Sequence, residues 1–191
     1  MTEILGTARE TSEAVLLDAT ERLLVERGHG GITTRRVAEA AGVNHGLVHY
    51  YFGSMENLLA RVLERFTERL IARQRAMYAA GLPFIEKWRQ AVRYLDDDRD
   101  YQKVWYELQA LAWNHPELRG RVVDVDAEWR AVLREALAGP REHYGIAMPL
   151  EALVALVMTF NEGIILEHLS GIDTGQTELL EWIDGWLEAE R

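Results

Sequence analysis

The chain has 191 residues, no cysteine and a formal net charge of −10. A chain of this length can bury roughly 70% of its unfolded surface without covalent cross-links, and the lack of cysteine excludes disulfides and thiolate metal sites. The first ten residues lack the basic start and apolar stretch of a signal peptide. The longest apolar run, Ala152 to Phe160, is far shorter than the about 20 residues of a membrane span. We therefore predict a soluble cytoplasmic protein without a membrane partner.

Positive charge is concentrated in one segment of this acidic chain. Residues 30–75 contain seven Arg against four acidic residues, residues 1–29 contain three Arg against six acids, and residues 76–191 contain eleven basic residues against twenty-one acids. An acidic surface repels nucleic acid, so a surface that binds DNA is expected only within residues 30–75.

A first amphipathic helix is predicted to end at Gly28. Thr7 and Glu10 have the spacing of a capping box near its start. The apolar residues that recur at helical spacing are Val15, Leu16, Ala19, Leu23 and Leu24. The helix is interpreted as scaffold, and the segment GHGG that follows it as a loop.

Two short helices joined by a tight turn follow between Ile32 and Phe52. Thr33 can cap the first helix, Gly42 can end it, and Asn44 can cap the second. This is the helix-turn-helix plan, in which the second helix enters the major groove of DNA. The alternative is an ordinary corner between two helices with solvated polar ends.

The second short helix has few residues to contribute to a core. Only Leu47, Val48 and part of Tyr51 or Phe52 can be buried. The residues left free to face outward are His45, His49 and Tyr50. A helix that contributes so little to a core is better suited to binding, which favours the helix-turn-helix interpretation.

Gly53 is predicted to break the chain after the second short helix, and Ser54 to cap a long fourth helix that runs to about Ala80. Its outer face carries Arg61, Arg65, Arg69 and Arg73, interleaved with glutamates, and is interpreted as a solvated face of opposite charges. Only Arg61 is expected near enough to the DNA end to contact it.

Five further helices are predicted, and no stretch longer than a few residues alternates with period two. The breaks are Gly81 and Pro83, the acid run Asp96 to Asp98, His115-Pro116, Gly139-Pro140, Pro149, and the cap candidates Asp173 and Thr174. We therefore predict an all-α chain of about nine helices.

The segment from about Ser12 to Leu59, with TTRRVAEAAGV and GLVHYYFGSMENLL, resembles the DNA-binding domain of TetR/AcrR-type transcriptional regulators. The resemblance implies three parts: a three-helix helix-turn-helix DNA-binding domain over residues 1–53, a connecting helix over 54–80, and a helical ligand-binding and dimerisation domain over 81–191. The expected partners are a double-stranded DNA operator, a small-molecule effector and a second copy of the chain.

In such regulators the start of the second helix and residues around the third contact phosphates, while the third helix reads base edges. The resemblance thus assigns DNA contacts to Thr33, Thr34, Arg35, Asn44, His45, Gly46, Leu47, His49, Tyr50, Tyr51 and Ser54. Tyr51 either contacts DNA or packs inward. His49 stands where the family most often has Tyr. Met55 stands where the family usually has a Lys that binds the DNA backbone, and this second departure puts one phosphate contact in doubt.

A pocket for an apolar or aromatic effector is predicted in the C-terminal part, where aromatic residues are frequent. The candidates are Trp88, Tyr101, Trp105, Leu108, Trp129, Val157, Phe160, Asn161, Ile164 and His168. Each aromatic residue could instead be core filler. The partners of Asn161 and His168 could be neighbouring helices or a ligand, and Glu107 and Glu162 either balance a cationic ligand or are exposed surface carboxylates.

Apolar residues cover more than one side of the eighth and ninth predicted helices, so packing against a single neighbour would leave some of them exposed. This favours a symmetric dimer in which these helices of both chains form a four-helix bundle. The family resemblance implies the same arrangement. The interface candidates are Leu156, Gly163, Leu179, Trp182, Ile183 and Trp186.

No catalytic constellation and no cofactor site are predicted. His45 and His49 could form a metal pair, but no Glu lies between them and no third ligand is near. The predicted function is a ligand-responsive dimeric repressor that leaves a palindromic operator when its effector binds. The alternatives are an activator, a regulator that needs its ligand to bind DNA, or a helical small-molecule-binding protein with a vestigial DNA-binding domain.

Overall fold

The computed structural model describes residues 2–189, with side chains from residue 12 onward. Within this range it contains nine α-helices, a 3₁₀ helix at His29–Gly31 and no β-strand, which confirms the all-α prediction. The helices are α1 (Thr2–Arg27), α2 (Thr34–Ala41), α3 (Gly46–Phe52), α4 (Met55–Ala79), α5 (Phe84–Asp97), α6 (Arg99–Ala112), α7 (Pro116–His143), α8 (Leu150–Leu169) and α9 (Gln176–Ala189). The predicted capping box of Thr7 and Glu10 lies outside the residues whose side chains are described.

The chain forms two compact units. The first contains the residues up to Thr67 together with Lys103–Val123, and the second contains Glu68–Gln102 together with the residues from Asp124 on. Helices α4, α6 and α7 therefore each contribute residues to both units. The three-part division inferred from the sequence stays a prediction.

In the first unit the apolar faces of α1 to α4 and α6 meet in one core. Leu24, Val37, Val48 and Leu58 are each 0% exposed, and Leu108 is 1% exposed. Burying side chains of this kind stabilises the fold by about 1.5–3 kcal/mol each. The backs of both short helices are thus fixed, and their opposite faces are left to solvent.

The second unit has a smaller core between α7 and α8. Leu133 and Leu137 of α7 pack with Leu153 and Val154 of α8, and Val157 packs against this cluster. Helix α8 thereby holds one apolar face inside its own unit.

Helix α7 was predicted to stop at Gly139-Pro140. It continues instead to His143. Proline lacks an amide hydrogen and so removes one hydrogen bond, yet the turn that follows is intact, because the Tyr144 amide donates to the Pro140 carbonyl at 2.9 Å. Gly145, two residues beyond the end of the helix, has φ 62° and turns the chain away from the helical path. Helix α9 also begins later than predicted, at Gln176 and not beside Asp173 or Thr174.

All four arginines on α4 were predicted to lie on a solvated face, and for two of them this prediction is wrong. Arg65 donates to Glu21 at 2.5 Å and to Asp18 at 2.7 Å, and so joins α4 to α1. Arg73 binds Asp98 of the α5–α6 junction. The charge pattern of one helix does not reveal carboxylates that other helices supply.

Candidate nucleic-acid interface

Helix α3 has a buried back and an exposed polar front. Val48 is 0% and Phe52 7% exposed, whereas Tyr50 is 69% exposed and His45 and His49 are also exposed. This confirms the predicted orientation of the helix. The exposed front carries hydrogen-bonding groups, which can bind base edges or phosphates.

Leu47 and Tyr51 of α3 are partly buried, and both pack against the core of the first unit. Tyr51 thus packs inward, which is one of the two orientations that the sequence left open. Tyr50 and Tyr51 meet edge to face, with ring centroids 5.0 Å apart. Tyr51 therefore supports the exposed Tyr50 from behind.

The start of α2 is capped and solvent-accessible. Thr33 is the N-cap, and its hydroxyl accepts the Arg36 amide at 3.2 Å, as predicted. The Arg35 side chain is 87% exposed and pairs with Glu39 at 2.8 Å. Free amides at a helix start favour an anion, and an exposed ion pair is weak enough to be exchanged for a phosphate.

The turn between α2 and α3 depends on Gly42, which ends α2 with φ 67° and ψ 29°. Helix α3 begins at Gly46 with His45 at the N-cap position, not Asn44 as predicted. The backbone of His45 is already helical (φ −59°, ψ −26°), so His45 itself takes part in the first turn. Asn44 still caps in effect, because its Oδ1 accepts the Gly46 amide at 2.8 Å.

A shallow open depression lies between the two short helices. It is lined by Arg35, Ala38, Glu39, Val43, Asn44 and His45. The depression brings the exposed ends of α2 and α3 onto one surface, so both can contact one ligand.

The start of α4 differs from the rest of this surface. Ser54 accepts the Asn57 amide at 3.2 Å, as a cap does, while Met55 is partly buried against the core. Hydrogen bonds from its own amide and from Ser54 hold the pKa of Glu56 below its ordinary value. An ionised carboxylate at this helix start competes with a phosphate for the free amides.

The residues predicted to line an effector pocket are divided between the two units. Trp105 and Leu108 pack in the core of the first unit. The others, in the second unit, are Trp88, Tyr101, Trp129, Val157, Phe160, Asn161, Ile164 and His168. Ile164 is buried, and the rest of this second group is half-buried.

Asn161 and His168, the two polar pocket candidates on α8, differ in their partners. His168 binds Arg99 and lies 3.8 Å from Asp96, so neighbouring helices supply its partners. The Asn161 side chain is half-buried and makes no hydrogen bond within the part of the chain that the structure describes. Of these two residues, His168 has side-chain partners from the protein and Asn161 has none among the described residues.

Glu107 and Glu162 are not exposed surface carboxylates; both are half-buried. Glu107 accepts the backbone amide of His29. Burial first, and then the nearby Asp126, raises the pKa of Glu162 above its ordinary value. The Glu107 contact has no signature in the sequence, because the two residues are 78 positions apart and the partner is a backbone amide.

The opposite side of α8 and one side of α9 expose apolar residues. Leu156 is 53%, Leu179 42% and Trp182 68% exposed, and Gly163 is also exposed. Ile183 and Trp186 are half-buried. Trp186 packs against Tyr144 of its own unit, with ring centroids 5.5 Å apart.

Among the described helices, α8 alone is long and apolar enough to cross a membrane by length and composition, and little of its apolar stretch is buried in the single chain. Counting an uninterrupted apolar run missed this property, because scattered polar residues interrupt the run without lowering the mean hydropathy much. Among the described residues no group of three or more His, Cys, Asp or Glu is placed to hold a metal ion.

A capped helix, a glycine turn and a second helix with an exposed polar front together define a DNA-binding protein of the helix-turn-helix class. Residues 16–62 match the family model for bacterial regulatory proteins of the tetR family. The chain is 24% identical to the transcriptional repressor AcnR of Corynebacterium glutamicum over 184 residues, covering 94% of each chain. These similarities support a TetR-family transcriptional regulator, and the matching family and relative are regulators of transcription, not enzymes.

Solved structures of this family share the fold. A TetR-family regulator from Rhodococcus sp. superimposes with a TM-score of 0.73 at 21% identity, covering 92% of this chain and 98% of that chain. A TetR regulator from Haloarcula marismortui gives a TM-score of 0.74 at 20% identity, covering 94% and 98%. The fold similarity therefore extends over both units and is not limited to the helix-turn-helix.

Proposed function

We propose that the protein is a dimeric, ligand-responsive repressor, located in the cytoplasm, that binds a palindromic DNA operator. The observation that carries the proposal is the front of α3, where His45, His49 and Tyr50 are exposed on a helix whose back is fixed in the core. The DNA contacts are assigned to Thr33, Thr34, Arg35, Asn44, His45, Gly46, Leu47, His49, Tyr50 and Ser54. Tyr51 acts by supporting Tyr50.

Within this set the chemistry of each group suggests a role. The Thr33, Thr34 and Arg35 segment would bind phosphates at the start of α2. His45 would hydrogen-bond a base edge, and the exposed phenol of Tyr50 would donate to a phosphate. Gly46 has no side chain to hold the α3 backbone away from DNA.

The exposed apolar sides of α8 and α9 support the dimer. Regulators that bind DNA are soluble proteins, so α8 is not expected to lie in a membrane. Apolar side chains exposed to water on two neighbouring helices favour a protein partner. A second copy would cover Leu156, Gly163, Leu179, Trp182 and Ile183 by symmetry. In such a dimer two α3 helices about 34 Å apart would enter successive major grooves of a palindrome.

The effector is proposed to be a small apolar or aromatic molecule in the second unit. The inward side of α8 offers the apolar Val157, Phe160 and Ile164 together with the unpaired amide of Asn161. Trp88, Tyr101 and Trp129 would add aromatic surface. Because α4 belongs to both units, an effector that prefers one position of α4 would change the separation of the α3 helices and release DNA.

The sign of regulation rests on the relatives. AcnR is named a transcriptional repressor, and repression is proposed here for that reason. An activator, or a regulator that needs its ligand to bind DNA, would use the same surfaces with the opposite coupling. A helical ligand-binding protein with a vestigial DNA-binding domain would not form a specific complex with DNA.

The test is an electrophoretic mobility shift with duplexes tiled across the region upstream of the gene. The wild type is expected to form a specific, salt-sensitive complex, and the double substitution His45→Ala with Tyr50→Ala is expected to abolish it. Unfolding free energy should change by less than about 1 kcal/mol, because both side chains are exposed. His143→Ala, an exposed histidine of the second unit, is the matched control and should bind normally. A wild type that shifts none of the duplexes, or a double variant that binds equally well, would contradict the proposal.

A further inference from the structure

The loop between α1 and α2 is held by few bonds of its own. Gly28 is buried and has φ 67° and ψ 175°, a conformation open essentially to glycine only. Its amide donates to the Leu24 carbonyl at 2.8 Å, and the Gly31 amide donates to the Gly28 carbonyl at 3.1 Å. Neither bond uses the amide of His29.

Glu107 of α6 supplies the missing acceptor. Its Oε2 accepts the His29 amide, and a Cβ on Gly28 would lie 2.7 Å from its Oε1. The carboxylate therefore fills the space that a side chain at position 28 would need. On the far side of the loop, Arg36 donates to the Gly31 carbonyl at 3.0 Å. The loop is thus held from α6 at one end and from α2 at the other.

The position of this loop decides where α2 begins. Only Ile32 separates Gly31 from the N-cap Thr33, so a shift of the loop is a shift of the amides and of Arg35. An error of about 1 Å is enough to break hydrogen bonds whose length is fixed within a few tenths of an ångström. Glu107 itself lies on α6 and is not among the residues assigned to DNA.

We propose that Glu107 is a positioning residue for DNA binding, which sets the start of α2 by holding the His29 amide. The inference rests on the proposed function, since it needs α2 to contact DNA phosphates. It predicts an effect opposite to that of simple electrostatics. Removing a carboxylate from a DNA-binding unit reduces repulsion and strengthens binding, whereas removing this one weakens binding.

Three substitutions at Glu107 separate the effect of side-chain length, which lets an oxygen accept the His29 amide, from the effect of the negative charge. Glu107→Gln keeps an oxygen acceptor at the same distance and loses the charge. Glu107→Asp keeps the charge and shortens the side chain by one methylene, which takes the carboxylate out of reach of the amide. Glu107→Ala loses both. Glu26→Ala, an exposed carboxylate near the end of α1, is the matched control for charge.

The experiment measures operator Kd for each full-length variant on the shortest upstream duplex that the wild type shifts. Loss of a charge-assisted hydrogen bond is expected to raise Kd about tenfold for the Ala and Asp variants, while the Gln variant stays within about threefold. Glu26→Ala should bind as tightly as the wild type or more tightly. If the Asp variant binds like the wild type and the Gln variant like the Ala variant, charge and not position is responsible, and the inference is overturned.

Amide hydrogen exchange at His29 gives a readout that does not use DNA. Exchange should be faster in the Ala and Asp variants than in the wild type and the Gln variant, while the amide of Leu24 keeps its protection because all variants retain the fold. Equal exchange at His29 in all four proteins would overturn the inference even if operator binding is normal. If the wild type shifts no duplex, the proposed function fails; if it binds DNA and the Ala variant binds equally well, only the role of Glu107 fails.

Discussion

Arg89 binds the carboxylate of Asp184 through two parallel hydrogen bonds, each 2.9 Å long, and so joins α5 to α9. A second carboxylate, that of Glu188, lies 2.9 Å from the same guanidinium. The guanidinium holds the pKa of Asp184 below its ordinary value of 3.8. The helix that presents Trp182 is therefore anchored by an ion cluster in its own unit.

The substitution Arg89→Ala is expected to destabilise the protein in a way that depends on pH. The folded-state pKa of Asp184 is lowered, so the contribution of the pair is present above the unfolded pKa and is lost as pH falls through the folded value. The difference in unfolding free energy between wild type and variant should thus be constant near neutral pH and shrink below about pH 4. Denaturant unfolding at several pH values measures it. Arg93→Ala, one turn further along α5 and exposed, should show no such pH dependence.

The substitution Trp182→Glu is expected to separate the proposed dimer. Trp182 is 68% exposed on α9 in the single chain, and a charge in a covered apolar interface is costly. The dimer dissociation constant should rise by about 100-fold, because each dimer would carry two copies of the change. Sedimentation velocity over a concentration series measures it. Trp113 is 73% exposed but lies outside α8 and α9, so Trp113→Glu should leave association unchanged. Equal behaviour of the two variants would contradict the assigned interface.

The substitution Gly28→Ala is expected to destabilise the protein by about 1–3 kcal/mol, because alanine at φ 67° and ψ 175° is strained. Contact of the new Cβ with Glu107 would add to this cost. Gly30→Ala is the control in the same loop, since a Cβ there meets nothing within 4 Å. Thermal and denaturant unfolding compare the two. Similar stability of both variants would show that the conformation of Gly28 is not constrained.

The substitution Arg35→Ala is expected to reduce the slope of log K against log salt concentration by about one unit, as loss of one phosphate contact does. The substitution Glu39→Gln should strengthen DNA binding. In the wild type Arg35 must first break its ion pair with Glu39 before it can bind a phosphate, and in the variant there is no such pair to break. Filter binding at several salt concentrations measures both. Arg75→Ala, an exposed arginine of the second unit, removes the same charge and should leave the slope unchanged.

The local features of the fold could be predicted from the sequence because their causes are local. The apolar spacing around Val48 and Phe52 determines which side of α3 is buried, and Thr33 and Gly42 fix the ends of α2 through bonds to residues three or four positions away. The outward orientation of Tyr50 follows from the same spacing. All of these features depend on periodicity within one helix.

The remaining features depend on residues far apart in the chain. Arg65 was predicted to face solvent, but its partners Asp18 and Glu21 come from another helix. Glu107 has a backbone amide as its partner, and amides are the same in every sequence. Pro140 was predicted to end α7, yet a proline one turn from the helix end removes only one hydrogen bond.

Most of the apolar stretch of α8 is exposed to solvent in the single chain, and this has a consequence for gene control. If only a second copy shields that helix, the species that occupies the operator arises from an encounter of two chains. At low abundance, occupancy would then grow with the square of the amount of protein. A modest change in synthesis or degradation would be amplified at the promoter before any effector is bound.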